Sequence, residues 1–283
     1  MAFSPTDQCI VLPFRAENRQ PFNGTGLALH FLVGNVLVLH TGLKEMWFGW
    51  RVRKIFPEKA LFQRYCRDAA DQLDLVQISR SQQVRFWIYG NFSGSSARLH
   101  FFDGQTPDAL HAPVDLTSSN DDSLIPFRTQ LLKWLESMGR PLPTEQVQAA
   151  LWPETISREG LDAVGRALEE FYCYSAYGGK DPLNVLPFKK AVAAAPESFM
   201  AQDLYGWALY RNQDYKGARG AFLTALRINP AGAGAMSGLM GCGVYGKDLE
   251  ETLFWSGRKA DVCRQDIQEA REAGRRRYDK VNK

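Results

Sequence analysis

The sequence predicts an α/β domain at the N-terminus followed by an all-α stack of helical hairpins, and three observations carry that expectation. Residues 191–196 (AVAAAP) are echoed by residues 225–230 (ALRINP), and the same offset of 34 residues carries Phe188 onto Phe222 and Pro196 onto Pro230. A period of that length belongs to stacked helix pairs that repeat one packing pattern. Residues 8–14 (QCIVLPF) form a short apolar run ended by Pro13 and a polar stretch, as an interior strand does. Residues 84–92 and 97–103 read as two further strands, joined by the small-residue turn 93–96 (SGSS) into a hairpin.

The intervening segments complete the first domain. Residues 27–43 (LALHFLVGNVLVLHTGL) are apolar but contain two histidines, an asparagine and two glycines. That is short and polar for a membrane span, so a buried helix of an α/β core is expected. Residues 46–56 (MWFGWRVRKIF) are rich in β-branched and aromatic types and read as a strand or extended segment stopped by Pro57. Residues 58–75 place Ala60, Leu61, Tyr65, Ala69 and Leu73 near helical spacing, an amphipathic helix continuing as a short turn through Ile78. Residues 104–122 carry Pro, Ser, Asn and Asp without periodicity and read as a loop, with Asp121 and Asp122 capping a helix over 123–138. Residues 139–143 (GRPLP) form a linker, and helical hairpins are expected from about residue 144. The resulting division is 1–122 for the α/β domain, 123–160 for connecting helices and 161–283 for the repeats with a C-terminal capping helix.

Composition narrows the function classes. A formal charge of +3, from 34 basic and 31 acidic residues, is too small to drive nucleic-acid or membrane association by itself, and only the C-terminal end is locally basic. Five scattered cysteines without a CxxC pair make a poor disulfide framework or zinc site, and the first residues lack a charged-then-apolar leader, so a cytoplasmic protein is expected. Gly24-Thr25-Gly26 before a helix invites a phosphate-loop reading, but neither a third glycine nor a Gly-Lys-Ser/Thr follows. His30, His40, His100 and His111 have no metal-ligand spacing, and no nucleophile elbow occurs. No catalytic residue, cofactor or metal is therefore expected. Trp47, Phe48 and Trp50, followed by Arg51, Arg53 and Lys54, read as strand core with a basic edge; the alternative is an exposed docking patch for nucleic acid or lipid headgroups.

The order of strand, helices and hairpin, with Leu12-Pro13-Phe14 closing the first strand and Ile88-Tyr89-Gly90 inside the hairpin, resembles the TolB-like amino-terminal domain of bacterial multidomain proteins. That resemblance implies a small α/β domain used for association or regulation, commonly paired with helical repeats. The second half resembles the tetratricopeptide family in three frames, 165–198, 199–232 and 233–266. The middle frame carries Ala201, Tyr205, Gly206, Ala208, Tyr215, Ala218, Phe222, Ala225 and Pro230 at or near the motif's positions. The first frame is looser, with Asn184 and a helix-delaying Pro187. Such repeats bind partners on the face made by the first helix of each pair. In this frame those positions are Cys173, Tyr177, Met200, Asp203, Trp207, Tyr210, Arg211 and Tyr245, an aromatic groove with one arginine suited to a protein or peptide. The alternatives are that these rings pack against neighbouring helices, and that the chain is a sensory module binding a small ligand near Gly24 or Arg15. Nucleic acid is not expected as a partner.

Overall fold

The computed structural model describes residues 8–17, 23–40, 43–67, 73–93, 96–107, 112–117, 124–139, 156–178 and 182–283. The expectations for the first seven residues, the turn tip Gly94-Ser95, His111, Asp121, Asp122 and the linker beyond Gly139 lie outside them. The chain divides into two compact units, one of residues 1–144 with 155–181 and one of residues 145–154 with 182–283.

In the first unit, β1 (Gln8–Val11) lies between β3 (Lys44–Glu45) and β4 (Phe86–Ser93), parallel to both. The sheet continues antiparallel through β5 (Ser96–Asp103) and β6 (Val114–Thr117), while β2 (Arg15–Ala16) pairs with the end of β4. Parallel neighbours need a crossover, and α1 (Thr25–His40) supplies it between β1 and β3. This helix packs against β1 and β4 and also against α5 (Ile125–Ser137) and α6 (Arg158–Tyr177). Leu27, Leu29, Leu32, Val33, Val36 and Leu37 are therefore all buried, which explains why its sequence is apolar on every side. The crossing with α6 is close: a Cβ on Gly165 would strike the Gly24 carbonyl oxygen.

Three segments differ from expectation. Residues 46–56 are not a strand: a 3-10 turn at Phe48–Trp50 leads into α2 (Val52–Ile55). Phe48, Val52 and Phe56 recur every fourth residue and are all buried, a helical period that the aromatic content of the segment masked. The helix over 58–75 is α3 (Lys59–Arg67), and α4 (Leu75–Gln82) starts afresh, capped by the Asp74 carboxylate accepting from Gln77 N–H. The 104–122 loop contains β6, whose four residues are too few to show alternation clearly.

The second unit holds α7 (Leu186–Ala194), α8 (Phe199–Arg211), α9 (Tyr215–Ile228), α10 (Ala233–Tyr245), α11 (Leu249–Val262) and α12 (Ile267–Asn282). Helices α8, α10 and α12 begin 34 residues apart, as do α9 and α11. The backbone repeats with them. Asp214 and Asp248 each cap the following helix, accepting from Gly217 N–H at 2.9 Å and Glu251 N–H at 2.8 Å. Gln213 and Lys247, immediately before those caps, share a left-handed φ of 63° and 59°. Successive helices pair, and α10 also touches both α8 and α12, so the first helices of the units line one face. Phe222 of α9 is wedged between Gly206 of α8, where a Cβ would come within 2.6 Å of its ring, and Gly238 of α10, where a Cβ would clash outright. Pro187 sits in the first turn of α7, where its missing N–H costs the helix no internal hydrogen bond.

The boundary differs from the one at residue 160. Helix α6, expected to open the first repeat, packs with α1, the 3-10 turn and α2 of the first unit. Its Gly165 and its buried stripe Leu161, Val164, Leu168 and Tyr172 match α1 rather than a repeat partner. The hairpin stack therefore begins with α7, and its full hairpins are α8–α9 and α10–α11.

Candidate functional site

The eight residues expected on the repeat groove separate into three groups. Cys173 and Tyr177 lie on α6 and so belong to the first unit. Cys173 is buried, and desolvation, helped by the neighbouring Glu169 carboxylate, pushes its thiol up to about 12. The Tyr177 hydroxyl donates to the Phe56 carbonyl at 2.6 Å. Both stand on a helix that the close Gly24–Gly165 crossing ties to α1 within the first unit.

Met200 and Asp203 lie on α8 as expected but are closed to solvent, at 0% and 1% exposure. They are corrected from contact residues to buried ones. The Asp203 carboxylate lies over Gly234 in the first turn of α10 and accepts from the Trp207 indole N–H, while its Oδ1 has no hydrogen-bond partner. Burial disfavours the charged form more than the indole contact favours it, and the carboxyl is raised to about 7.

The third group forms a continuous aromatic surface. Trp207 meets Phe222 edge-on at 5.3 Å and Tyr210 at 5.4 Å. Tyr210 in turn meets Tyr215 at 5.4 Å and Tyr245 at 6.0 Å, and the rings of Tyr215 and Tyr245 stack at 4.9 Å with planes 2° apart. Gly241 lets Tyr210 lie against α10, since a Cβ there would come within 2.7 Å of the hydroxyl. The surface grades outward: Trp207, Tyr210 and Tyr215 are half-buried, and Tyr245 is 44% exposed. Burial raises the Tyr210 hydroxyl to about 12, with the nearby Arg277 charge working the other way.

Arg277 comes from α12, which Tyr278 Oη donating to the Lys247 carbonyl and Asn282 Nδ2 donating to the Val244 carbonyl hold against the α10–α11 turn. It is exposed and pairs with no carboxylate among the described residues. Arg211, the arginine expected here, is exposed in the last turn of α8. Sequence reasoning missed Tyr215 as a surface residue and did not place Arg277 of the basic C-terminal helix beside these rings. Continuing the 34-residue frame one step further, onto Ile267, would have placed Arg277 on a helix equivalent to α8 and α10.

The other sequence candidates resolve into structure. The start of α1 is already satisfied: Gly24 N–H donates to Asp162 Oδ1 at 2.6 Å and Thr25 N–H to Asn23 Oδ1 at 2.8 Å. Gly26 abuts Phe14 O and the Phe92 ring, so the glycines serve close packing rather than phosphate binding. His30 is buried with its Nε2 2.8 Å from Tyr172 Oη, and desolvation lowers it to about 3. Among the described residues, no three of His, Cys, Asp and Glu gather as a metal site, and no helix is long and apolar enough to cross a membrane. Comparison with family models, with curated proteins and with solved structures finds no match.

Proposed function

We propose that this chain is a non-catalytic adaptor whose helical hairpins, read as tetratricopeptide-like repeats, hold a peptide segment of a partner protein across the α8–α10–α12 face. The observation that carries the reading is the ring surface Tyr210, Tyr215 and Tyr245 bordered by Arg277. Aromatic side chains and arginine are the residue types that dominate peptide and protein recognition, because they supply large contact area with few rotatable bonds and a fixed donor fork. The Asp214 cap starts α9, which presents Tyr215 as its first residue. An arginine without a carboxylate partner favours a segment bearing an acidic side chain next to an apolar one. On this reading the first unit, TolB-like in its order of elements, is an association module of a cytoplasmic protein.

The test is selection of a displayed random-peptide library on the full chain, counter-screened with Tyr245→Ala and Arg277→Gln. Both positions are exposed, so neither change removes core packing. The proposal expects a shared acidic and apolar pattern among the selected peptides, with binding lost in both variants. Peptides that bind both variants as well as the parent chain would place recognition elsewhere.

A further inference from the structure

The short turn at residues 48–56 of the first unit has two opposed sides. Phe48, Val52 and Phe56 are 0%, 0% and 3% exposed and anchor it inward. The Phe48 ring meets His30, Phe56, Phe62 and Tyr172 at centroid distances of 5.3 to 6.5 Å. Consecutive backbone bonds from Trp50 N–H to Trp47 O, Arg51 N–H to Phe48 O and Lys54 N–H to Arg51 O make the turn one helical piece. On that piece Trp50, Arg53 and Lys54 stand at i, i+3 and i+4, the spacing of one helix face. All three are exposed, and Trp50, at 74%, is the most exposed large apolar side chain among the described residues.

The sequence around it is mostly basic, although Arg67 at its far end is paired with Glu169 at 3.0 Å. Between Met46 and Arg67 the sequence has Arg51, Arg53, Lys54, Lys59, Arg64 and Arg67 against the single acid Glu58. Arg53 and Lys54 pair with no carboxylate among the described residues, and Arg51 is held by Gln82 Oε1 at 3.4 Å. By contrast, Trp47 is tied down by Phe31 at 5.6 Å and Tyr172 at 5.4 Å, so the segment uses one tryptophan for its core and leaves the other outside.

We infer that the Trp50, Arg53 and Lys54 face is a reversible docking site for an anionic lipid surface. Tryptophan is favoured at the headgroup level, where its ring is buried and its N–H stays hydrated, and each nearby lysine or arginine adds about fivefold in affinity for a negative leaflet. A nucleic acid is the less fitting occupant. Single-strand binding uses several stacking rings along a groove, whereas here a single exposed ring stands on a short helical turn. The net charge of +3 does not bear on this, because the attraction acts within about a Debye length of the patch.

The test is co-sedimentation of the full chain with phosphatidylcholine vesicles and with vesicles carrying about 30% phosphatidylserine, at about 0.05 M and about 0.5 M salt, where screening differs severalfold. The inference expects binding to the anionic vesicles at low salt alone. Trp50→Ala should weaken it about tenfold, and Arg53→Gln with Lys54→Gln about 25-fold. Circular dichroism establishes that each variant is folded. Absence of binding to anionic vesicles, or equal binding by Trp50→Ala, overturns the inference. So does binding abolished only by Arg275→Gln with Arg276→Gln, which would assign it to α12, or retention of a single-stranded oligonucleotide in place of vesicles by the same three residues.

Discussion

The buried carboxyl of Asp203 sets a pH dependence that can be worked from the structure. Its ordinary value is 3.8 and in the folded chain it stands at about 7. Between those values the native state holds a proton that the unfolded chain has released, so unfolding free energy falls as pH rises. The contribution is fully present below about pH 4 and gone above about pH 7. At 1.36 kcal/mol per unit, the total is about 4 kcal/mol. Asp203→Asn keeps the shape and an oxygen to accept from Trp207, and it cannot ionise. Urea unfolding from pH 4 to pH 8.5 should therefore show the variant more stable than the parent chain by a margin that grows with pH to a few kcal/mol. His30, lowered from 6.5 to about 3, acts in the opposite sense: the unfolded chain takes up its proton first on acidification, so stability falls as pH drops below about 6.5. His30 is common to both proteins, so the difference curve isolates Asp203. Identical pH slopes for parent and variant would refute the account of that carboxyl.

Other consequences concern packing and caps. Gly238→Ala places a Cβ against the Phe222 ring and should lower the unfolding free energy of the hairpin unit by about 1–3 kcal/mol in denaturant titration. Gly165→Ala collides with the Gly24 backbone across the α1–α6 crossing, and loss of protection in hydrogen exchange should centre on the first unit, because α6 belongs to it. Asp214→Ala removes the carboxylate that accepts from Gly217 N–H and should cost about 1 kcal/mol by the same titration.

The periodic parts of the molecule were readable before the structure, and the parts fixed by long-range contact were not. The frames beginning at Phe199 and Ala233 coincide with the starts of α8 and α10, because helix stacking must place its small and aromatic residues at fixed intervals. The hairpin of β4 and β5 was equally visible, its register running from Phe86 opposite Asp103 to Ser93 opposite Ser96. Helix α6 misled because its apolar stripe fits either a repeat partner or α1, and only the glycine crossing decides. The 46–56 segment misled because Phe48, Val52 and Phe56 sit among equally apolar neighbours, so composition argued for a strand. Of the eight residues expected at the groove, Trp207, Tyr210 and Tyr245 fall in one ring cluster, whereas Met200 and Asp203 share the helix of the first two but are buried, a property that motif position alone does not carry.

The central claim is that the ring surface bordered by Arg277 holds a peptide. Its most direct test is the dissociation constant of a library-selected acidic and apolar peptide, measured by isothermal titration calorimetry on the parent chain and on Tyr245→Ala. Loss of a ring that anchors a peptide costs more than about 1 kcal/mol, so the variant should bind about fivefold more weakly or worse with its unfolding midpoint unchanged. A constant within about twofold of the parent value, less than about 0.5 kcal/mol, would contradict the claim.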